Sequence, residues 1–171
     1  MIIKQIENFF PRLDFILPEI KKIKLYTQKE FNEHEGTSDT WPGYRSLCLT
    51  KNNVFLFELI NNLIFSKGMI DHGNYYIMTF LHLRLKEHDA QDWIHKDNSL
   101  FSALIYLSET NLNSGTYIYN EDENIVNDIK FVKNRFVMFS GNYKHKGYGH
   151  YGDSVQNGRL TLNLFINKNA N

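Results

Sequence analysis

The 171-residue chain has a single cysteine, Cys48, so no disulfide can close within it, and a reducing compartment is the expected setting. Only three prolines occur, with no low-complexity run and no internal repeat, which argues against a disordered chain or a repeat array. Net charge is also missing. Nineteen basic and 19 acidic residues cancel, so no global field draws the protein to nucleic acid or to an anionic membrane, and only a local patch stays possible. No stretch approaches the ~20 apolar residues of a membrane span. The opening MIIKQIENFF lacks a basic region followed by an apolar core of roughly 7–15 residues, so no signal peptide is expected and the cytoplasm is the expected location.

What is abundant is the means to bury surface. Hydrophobic residues make up 42% of the chain and aromatic residues 15%, enough for one domain, 1–171, with a substantial core. Within it, 1–72 reads as a helical N-terminal region with a WPGYR loop, and 73–171 as a β core. Residues 1–10 suit a short strand or extended entry. In DFILPEIKKIKLY, Asp14 is placed to cap a helix with Pro18 in its first turn and Leu17, Ile20 and Ile23 on one stripe. The polar stretch Thr27 to Thr40 reads as a loop that leads into the Pro-Gly turn of WPGYR, residues 41–45. A second helix fits NNVFLFELINNLIF, from near Thr50 to a stop at Gly68. After Gly73 come strand-like segments, NYYIMTFLHLRL, DWIH, FSALIYL, GTYIY, RFVMF and RLTLNLFI, separated by Gly, Asn, Asp and Ser. No helical period separates these strands, so the fold class is mainly β with N-terminal helices (α+β), and the economical architecture is an antiparallel sandwich or jelly roll.

The segment WIHKD, 93–97, carries the first chemical signal. On a helix His95 and Asp97 would point about 200° apart; on a strand they share one face, with Cα atoms ~6.6 Å apart, and can chelate. A lone His-x-Asp is common by chance and needs support from elsewhere. FSGNYKHKG supplies His145 after a strand and a glycine turn, and two histidines with one carboxylate form the facial triad of non-haem Fe(II) sites. In the final strand Arg159 and Thr161 share a face by the same period of two. The charges balance: a ferrous ion, one aspartate, a dianionic 2-oxo diacid and one arginine sum to zero in a site that must exclude water.

This ordered set resembles the Fe(II)/2-oxoglutarate-dependent dioxygenases, in particular the prolyl-hydroxylase-like branch and its compact phage-type members. WIHKD is similar to the family's His-x-Asp element, SALIYLSE to its next core strand, SGTYIY to the Gly-Thr-aromatic strand, NRFVMFSGNYKHKG to the strand and turn ending in the distal histidine, and GRLTLNLFI to the last strand with its Arg-x-Thr/Ser. These match in the family's order from about residue 75 to 167, and NFFP and WPGYRS are similar to phage-type segments. The resemblance implies a double-stranded β-helix, cupin-like in form. It implies that His95, Asp97 and His145 bind Fe(II), and that Arg159 grips the distal carboxylate of the cosubstrate 2-oxoglutarate with help from the hydroxyls of Thr161 and Tyr106. The implied reaction uses O₂ to convert 2-oxoglutarate to succinate and CO₂ while hydroxylating an unactivated C–H bond of a small-molecule or peptidyl substrate.

His150 rivals His145 as the distal ligand, standing nine residues before Arg159 where His145 stands fourteen. F-x-G-x-x-x-H-x-G, matched from Phe139 to Gly147, favours His145. His82, alternating with Phe80 and Arg84, reads as a satisfied or exposed strand residue, and His34, His72 and His88 as solvated. Arg45 is the candidate substrate-binding residue, since WPGYR can fold over the iron mouth; its simpler reading is an exposed turn arginine. Two other classes stay open: a non-catalytic jelly-roll module that binds metal or ligand without turnover, and a cupin-type metalloenzyme independent of 2-oxoglutarate. Oligomeric state is not legible.

Overall fold

The computed structural model describes residues 3–149 and 151–169. The chain enters through β1 (Ile3–Ile6) and α1 (Leu13–Ile20). Pro18 sits in the interior of α1 rather than its first turn, because the helix starts at Arg12–Leu13 with no side-chain cap from Asp14. The segment read as a loop holds β2 (Tyr26–Thr27) and α2 (Gln28–Glu35). Its start is a capping box: the Thr27 hydroxyl accepts from the Glu30 N–H, and the Glu30 carboxylate accepts from the Thr27 N–H. Gly36 ends it in the left-handed conformation at φ 66°. After β3 (Tyr44–Arg45), the expected single helix is two, α3 (Leu49–Asn52) and α4 (Val54–Ser66). They break at Asn53, whose side chain accepts from the Leu56 N–H.

Ten residues of β4 (Tyr75–Arg84) and a 3₁₀ turn (Lys86–Gln91) follow, then β5 (Phe101–Tyr106), β6 (Asn111–Tyr119), β7 (Ile125–Phe131), β8 (Phe136–Ser140), β9 (Lys144–Tyr148) and β10 (Arg159–Lys168). DWIH forms no regular strand; it is an extended segment with one isolated bridge, at His95. After Gly73 two strands went unread, besides the short β2 and β3 before it. β7 carries Asn and Asp between its apolar residues, and β9 is lysine-rich on its outer side.

Seven strands form one antiparallel sheet in the order β1-β8-β5-β10-β4-β3-β2, and three form a second in the order β7-β6-β9. The large sheet thus takes three strands from the N-terminal region. Alternation gives it two different faces. Leu160, Leu162, Leu164 and Ile166 of β10, with Ile77, Leu81 and Leu83 of β4 and Ala103 and Ile105 of β5, pack in one core with Phe9, Phe10, Leu13, Ile20, Leu56, Ile60 and Ile64 from the N-terminal helices and their approach. The opposite face turns towards the small sheet, where Tyr106, Val137 and Phe139 meet Ile118, Ile129 and Phe131. That same face carries Phe80, His82 and Arg84 of β4 and Arg159, Thr161 and Asn163 of β10. None of the described helices is long and apolar enough to cross a membrane.

The N-terminal layer is latched at Asn134, a left-handed residue at φ 64° in the turn before β8. Its side chain accepts from the Phe10 N–H at 2.9 Å and donates to the Phe10 carbonyl at 2.8 Å. Asn134→Ala removes both bonds in a buried setting and places an alanine at positive φ. It is expected to cost about 2–4 kcal/mol in urea unfolding, with Asn134→Gly recovering part of the loss.

Candidate metal centre

The two segments that carry His95 and His145 are held together by backbone. The His95 N–H donates to the His145 carbonyl at 3.1 Å, and the His145 N–H donates back at 2.8 Å. Two residues on, the Asp97 N–H donates to the Gly141 carbonyl at 2.9 Å, so the extended segment 95–97 runs along the turn into β9. One His-x-Asp face therefore meets one histidine by ordinary antiparallel geometry. Each ring is then fixed by the same device: Nδ1 of His95 lies 2.9 Å from the Trp93 carbonyl, and Nδ1 of His145 lies 2.9 Å from the Tyr143 carbonyl. A carbonyl only accepts, so Nδ1 carries the proton in both rings and both Nε2 lone pairs face inward.

The ligand atoms of His95, Asp97 and His145 all lie within 4.8 Å of one another. His95 Nε2 is 3.8 Å from one Asp97 oxygen, and His145 Nε2 is 3.4 Å from the other. Cis ligands ~2.1 Å from a common ion stand ~3.0 Å apart, so the three side chains would have to close inward to hold one. The Ser102 hydroxyl donates to an Asp97 oxygen at 2.5 Å, and Phe139 packs edge-on against the His145 ring. Burial pushes the Asp97 carboxyl up; with no ion bound, a protonated His145 (hydrogen bond and charge), the Ser102 hydroxyl and a protonated His95 outweigh it and hold Asp97 below its usual range, and a bound cation would take the place of those two protons. The residues fit a divalent ion with N₂O ligation. His150 lies outside the described residues.

The triad opens into a cavity of about 490 Å³. Arg159 lies at its base, buried, with one Nη donating to the Gly115 carbonyl at 3.3 Å and its Nε without a hydrogen-bond partner among the described residues. Its guanidinium sits 5.3 Å from the Phe131 ring and 5.7 Å from the Tyr106 ring. Burial lowers its pKa, and the nearby Arg84 lowers it further. Sequence reasoning passed over Arg84, although TFLHLRL placed it on the Phe80–His82 face. It is held at 2.5 Å by Asp92, both side chains being buried. A Cβ at Gly147 would come within 2.5 Å of Arg84, 3.3 Å of an Asp92 carboxylate oxygen and 3.5 Å of Arg159, so the missing side chain leaves room for the Arg84–Asp92 pair beside the Arg159 guanidinium.

The other expected members are arranged differently. The Tyr106 hydroxyl is paired with Thr116 at 2.8 Å, and Thr116, not Tyr106, lines the cavity. Thr161 donates to Asn163 at 2.7 Å; Asn163 lines the cavity and reaches Nδ1 of His82 at 3.4 Å. His82 is the satisfied strand residue, with Nε2 2.7 Å from the Pro42 carbonyl. That bond pins the WPGYR loop, as does Gly43, at φ 94°, where a Cβ would strike the Leu83 carbonyl. Arg45 is no exposed turn residue. It lines the cavity with Trp41, its guanidinium 4.1 Å over the Trp41 ring. His88, read as solvated, is buried, and its Nδ1 accepts from the Leu85 N–H.

No protein-family model matches the sequence, and no curated protein matches it. Solved structures do match. A prolyl-4-hydroxylase from Pseudomonas putida aligns over 98% of this chain and 93% of its own, with a TM-score of 0.59 and 17% identity. An oxidoreductase of the 2OG-Fe(II) oxygenase family from Burkholderia pseudomallei aligns over 98% and 84%, with a TM-score of 0.66 and 15% identity. HygX from Streptomyces hygroscopicus, solved with nickel, 2-oxoglutarate and hygromycin B bound, aligns over 97% and 82%, with a TM-score of 0.66 and 10% identity. The likeness is one of fold, and it is the fold of the prolyl-hydroxylase-like oxygenases whose motifs the sequence resembles.

Two measurements check the geometry. Cobalt(II) titration followed by absorption is expected to show a single equivalent bound. His145→Ala should weaken that binding more than about 100-fold, while His82→Gln and His150→Ala keep it within an order of magnitude. Burial, with Arg45 next, holds the His82 pKa well below its usual value. The unfolded chain therefore binds the extra proton first, and stability falls as pH drops below about 6.5. His82→Gln should flatten that slope by up to about 1.4 kcal/mol per pH unit in urea unfolding at pH 5–6.5.

Proposed function

We propose that this chain is an Fe(II)- and 2-oxoglutarate-dependent dioxygenase that hydroxylates an unactivated C–H bond, built on a double-stranded β-helix formed by the two facing sheets. One observation carries the reading: a His-Asp-His cluster and a buried arginine with no carboxylate partner among the described residues share one cavity. HygX, solved with 2-oxoglutarate bound, and the Burkholderia protein of the 2OG-Fe(II) oxygenase family support it through their fold. The prolyl hydroxylase from Trichoplax adhaerens, solved with a peptide fragment, supports a peptidyl or small-molecule substrate.

In this reading His95, Asp97 and His145 hold iron on one face, and Arg159 takes the distal carboxylate of 2-oxoglutarate. Iron and cosubstrate, when bound, supply O₂ activation coupled to oxidative decarboxylation to succinate and CO₂. The chain's own groups position and shield. Each histidine is locked in the tautomer that offers Nε2, and Ser102 holds the Asp97 carboxylate in orientation. Thr116, fixed by the Tyr106 hydroxyl, and Thr161, acting through Asn163, flank the path from Arg159 to the triad. Leu104 and Phe139 line the same space and exclude water. Burial is what makes Arg159 selective: a guanidinium without a counter-ion is costly, and a carboxylate that replaces lost solvation gains charge-assisted hydrogen bonds of about 1.5–3 kcal/mol each.

Anaerobic protein reconstituted with Fe(II) is expected to develop a weak visible charge-transfer band on addition of 2-oxoglutarate, and to release succinate in air. Arg159→Ala should raise the 2-oxoglutarate concentration needed for the band by at least about tenfold. A variant that binds the cosubstrate as tightly as the parent would remove Arg159 from the pocket. Metal binding without a band or succinate would select the non-catalytic module, and turnover without 2-oxoglutarate the cupin-type enzyme.

A further inference from the structure

The cavity holds a second guanidinium that the proposed reaction leaves unused. Arg45 reaches it from β3, on the far side of β4 from Arg159, with its own cross-strand partner His82 between them. Its guanidinium carbon lies 4.1 Å over the Trp41 ring and 5.3 Å from the Phe80 ring, and its Nε is buried with no hydrogen-bond partner among the described residues. Burial pushes its pKa down to about 10, and the negative charges of Asp39 and Asp97 oppose the drop without pairing with it. Of the other cavity cations, Arg84 is committed to Asp92 and Lys96 to Glu121 at 2.8 Å, while Asp39 lines the cavity as an exposed carboxylate. Two rings and a pinned loop hold the Arg45 cation over the cavity, where a ligand can complete it.

From this geometry we infer that Arg45 and Trp41 form the prime-substrate anchor, and that the substrate is a small organic carboxylate, bound through its carboxylate to the Arg45 guanidinium. The inference rests on the dioxygenase reading for its charge count. The ferrous ion, Asp97, dianionic 2-oxoglutarate and Arg159 sum to zero, which leaves Arg45 as the one unbalanced charge among the buried groups, the exposed Asp39 being screened by solvent. A monoanion neutralises it; a phosphate monoester dianion overshoots. A cavity of about 490 Å³, shared with the cosubstrate, suits a small molecule or a terminal residue. The same carboxylate occurs on a free metabolite and at the C-terminus of a peptide, and both place their C–H bonds between Arg45 and the triad.

The test titrates the anaerobic Fe(II)–2-oxoglutarate protein with matched pairs: butyrate and butyramide, N-acetylproline and its amide, glycylproline and its C-terminal amide, and methyl phosphate alone. Tryptophan emission reports binding, since Trp41 lies under the guanidinium. At least one acid is expected to give a saturable change below about 10 mM, with its amide at least about tenfold weaker and methyl phosphate weaker than the acid. A response limited to butyrate identifies a free carboxylate, and one to N-acetylproline or glycylproline a peptide terminus. Arg45→Gln should abolish the response, and Arg45→Lys, which keeps the cation without the fork, should retain a weakened one. The inference is overturned by equal responses to acids and amides, by no saturable response in any pair, by a preference for phosphate, or by an Arg45→Gln protein that responds like the parent. It is also overturned if Arg45→Gln weakens 2-oxoglutarate binding as much as Arg159→Gln does, since Arg45 would then hold the cosubstrate. The two readings fail separately: a missing charge-transfer band with an acid-selective, Arg45-dependent emission change leaves the anchor standing and removes the dioxygenase, whereas a normal band with no such change does the reverse.

Discussion

The site depends on a pair of backbone hydrogen bonds between His95 and His145. This single antiparallel bridge brings a segment that forms no regular strand against the first turn of β9, and it sets where both rings begin. Everything that follows is local. Each Nδ1–H turns back to the carbonyl two residues earlier, each Nε2 is left facing inward, and Asp97, two residues from His95 on the same side, completes the cluster. Because the bridge uses main-chain groups, the ligand geometry is insulated from the side-chain variety of the surrounding loops.

Around that bridge the large sheet acts as a sorting device. Its two faces alternate residue by residue, so the strand that sends Leu160, Leu162 and Leu164 into the helix-packed core must send Arg159, Thr161 and Asn163 towards the small sheet. A one-residue slip would exchange the two sets and bury guanidinium groups among leucines, which burial costs forbid. The same alternation on β4 delivers His82 and Arg84. The cavity is therefore polar on one wall because the opposite wall of the same strands is apolar, and its charges are distributed in a definite way: one arginine at the base, one over Trp41, and a third held by Asp92.

The sequence made part of this legible. Period-two alternation placed β4, β5, β8 and β10, and the His-x-Asp spacing, the glycine turn before His145 and the Arg-x-Thr of the last strand are short-range patterns that survive in one dimension. What it hid was set by tertiary contact. DWIH is extended without being a strand, because a single bridge is enough to hold it. Thr116 was overlooked beside the tyrosines of GTYIY, yet alternation turns Thr116 and Ile118 inward and Tyr117 and Tyr119 outward. The Tyr106 hydroxyl is spent on Thr116, a partnership between two strands that no local window contains, and the Thr161 hydroxyl on Asn163, its neighbour two residues on along the same face of β10. Arg45 looked like a turn residue because Pro-Gly precedes it; its burial comes from the His82–Pro42 bond and the Trp41 ring. The capping box at Thr27–Glu30 was visible in the sequence and masked by the polarity of the helix behind it.

The most direct test of the central claim is a crystal structure of the chain grown anaerobically with manganese(II) and 2-oxoglutarate. It is expected to place the metal between Nε2 of His95, the Asp97 carboxylate and Nε2 of His145, with the distal carboxylate of the diacid on the Arg159 guanidinium. A metal bound elsewhere, or a diacid whose tail turns away from Arg159, would contradict it.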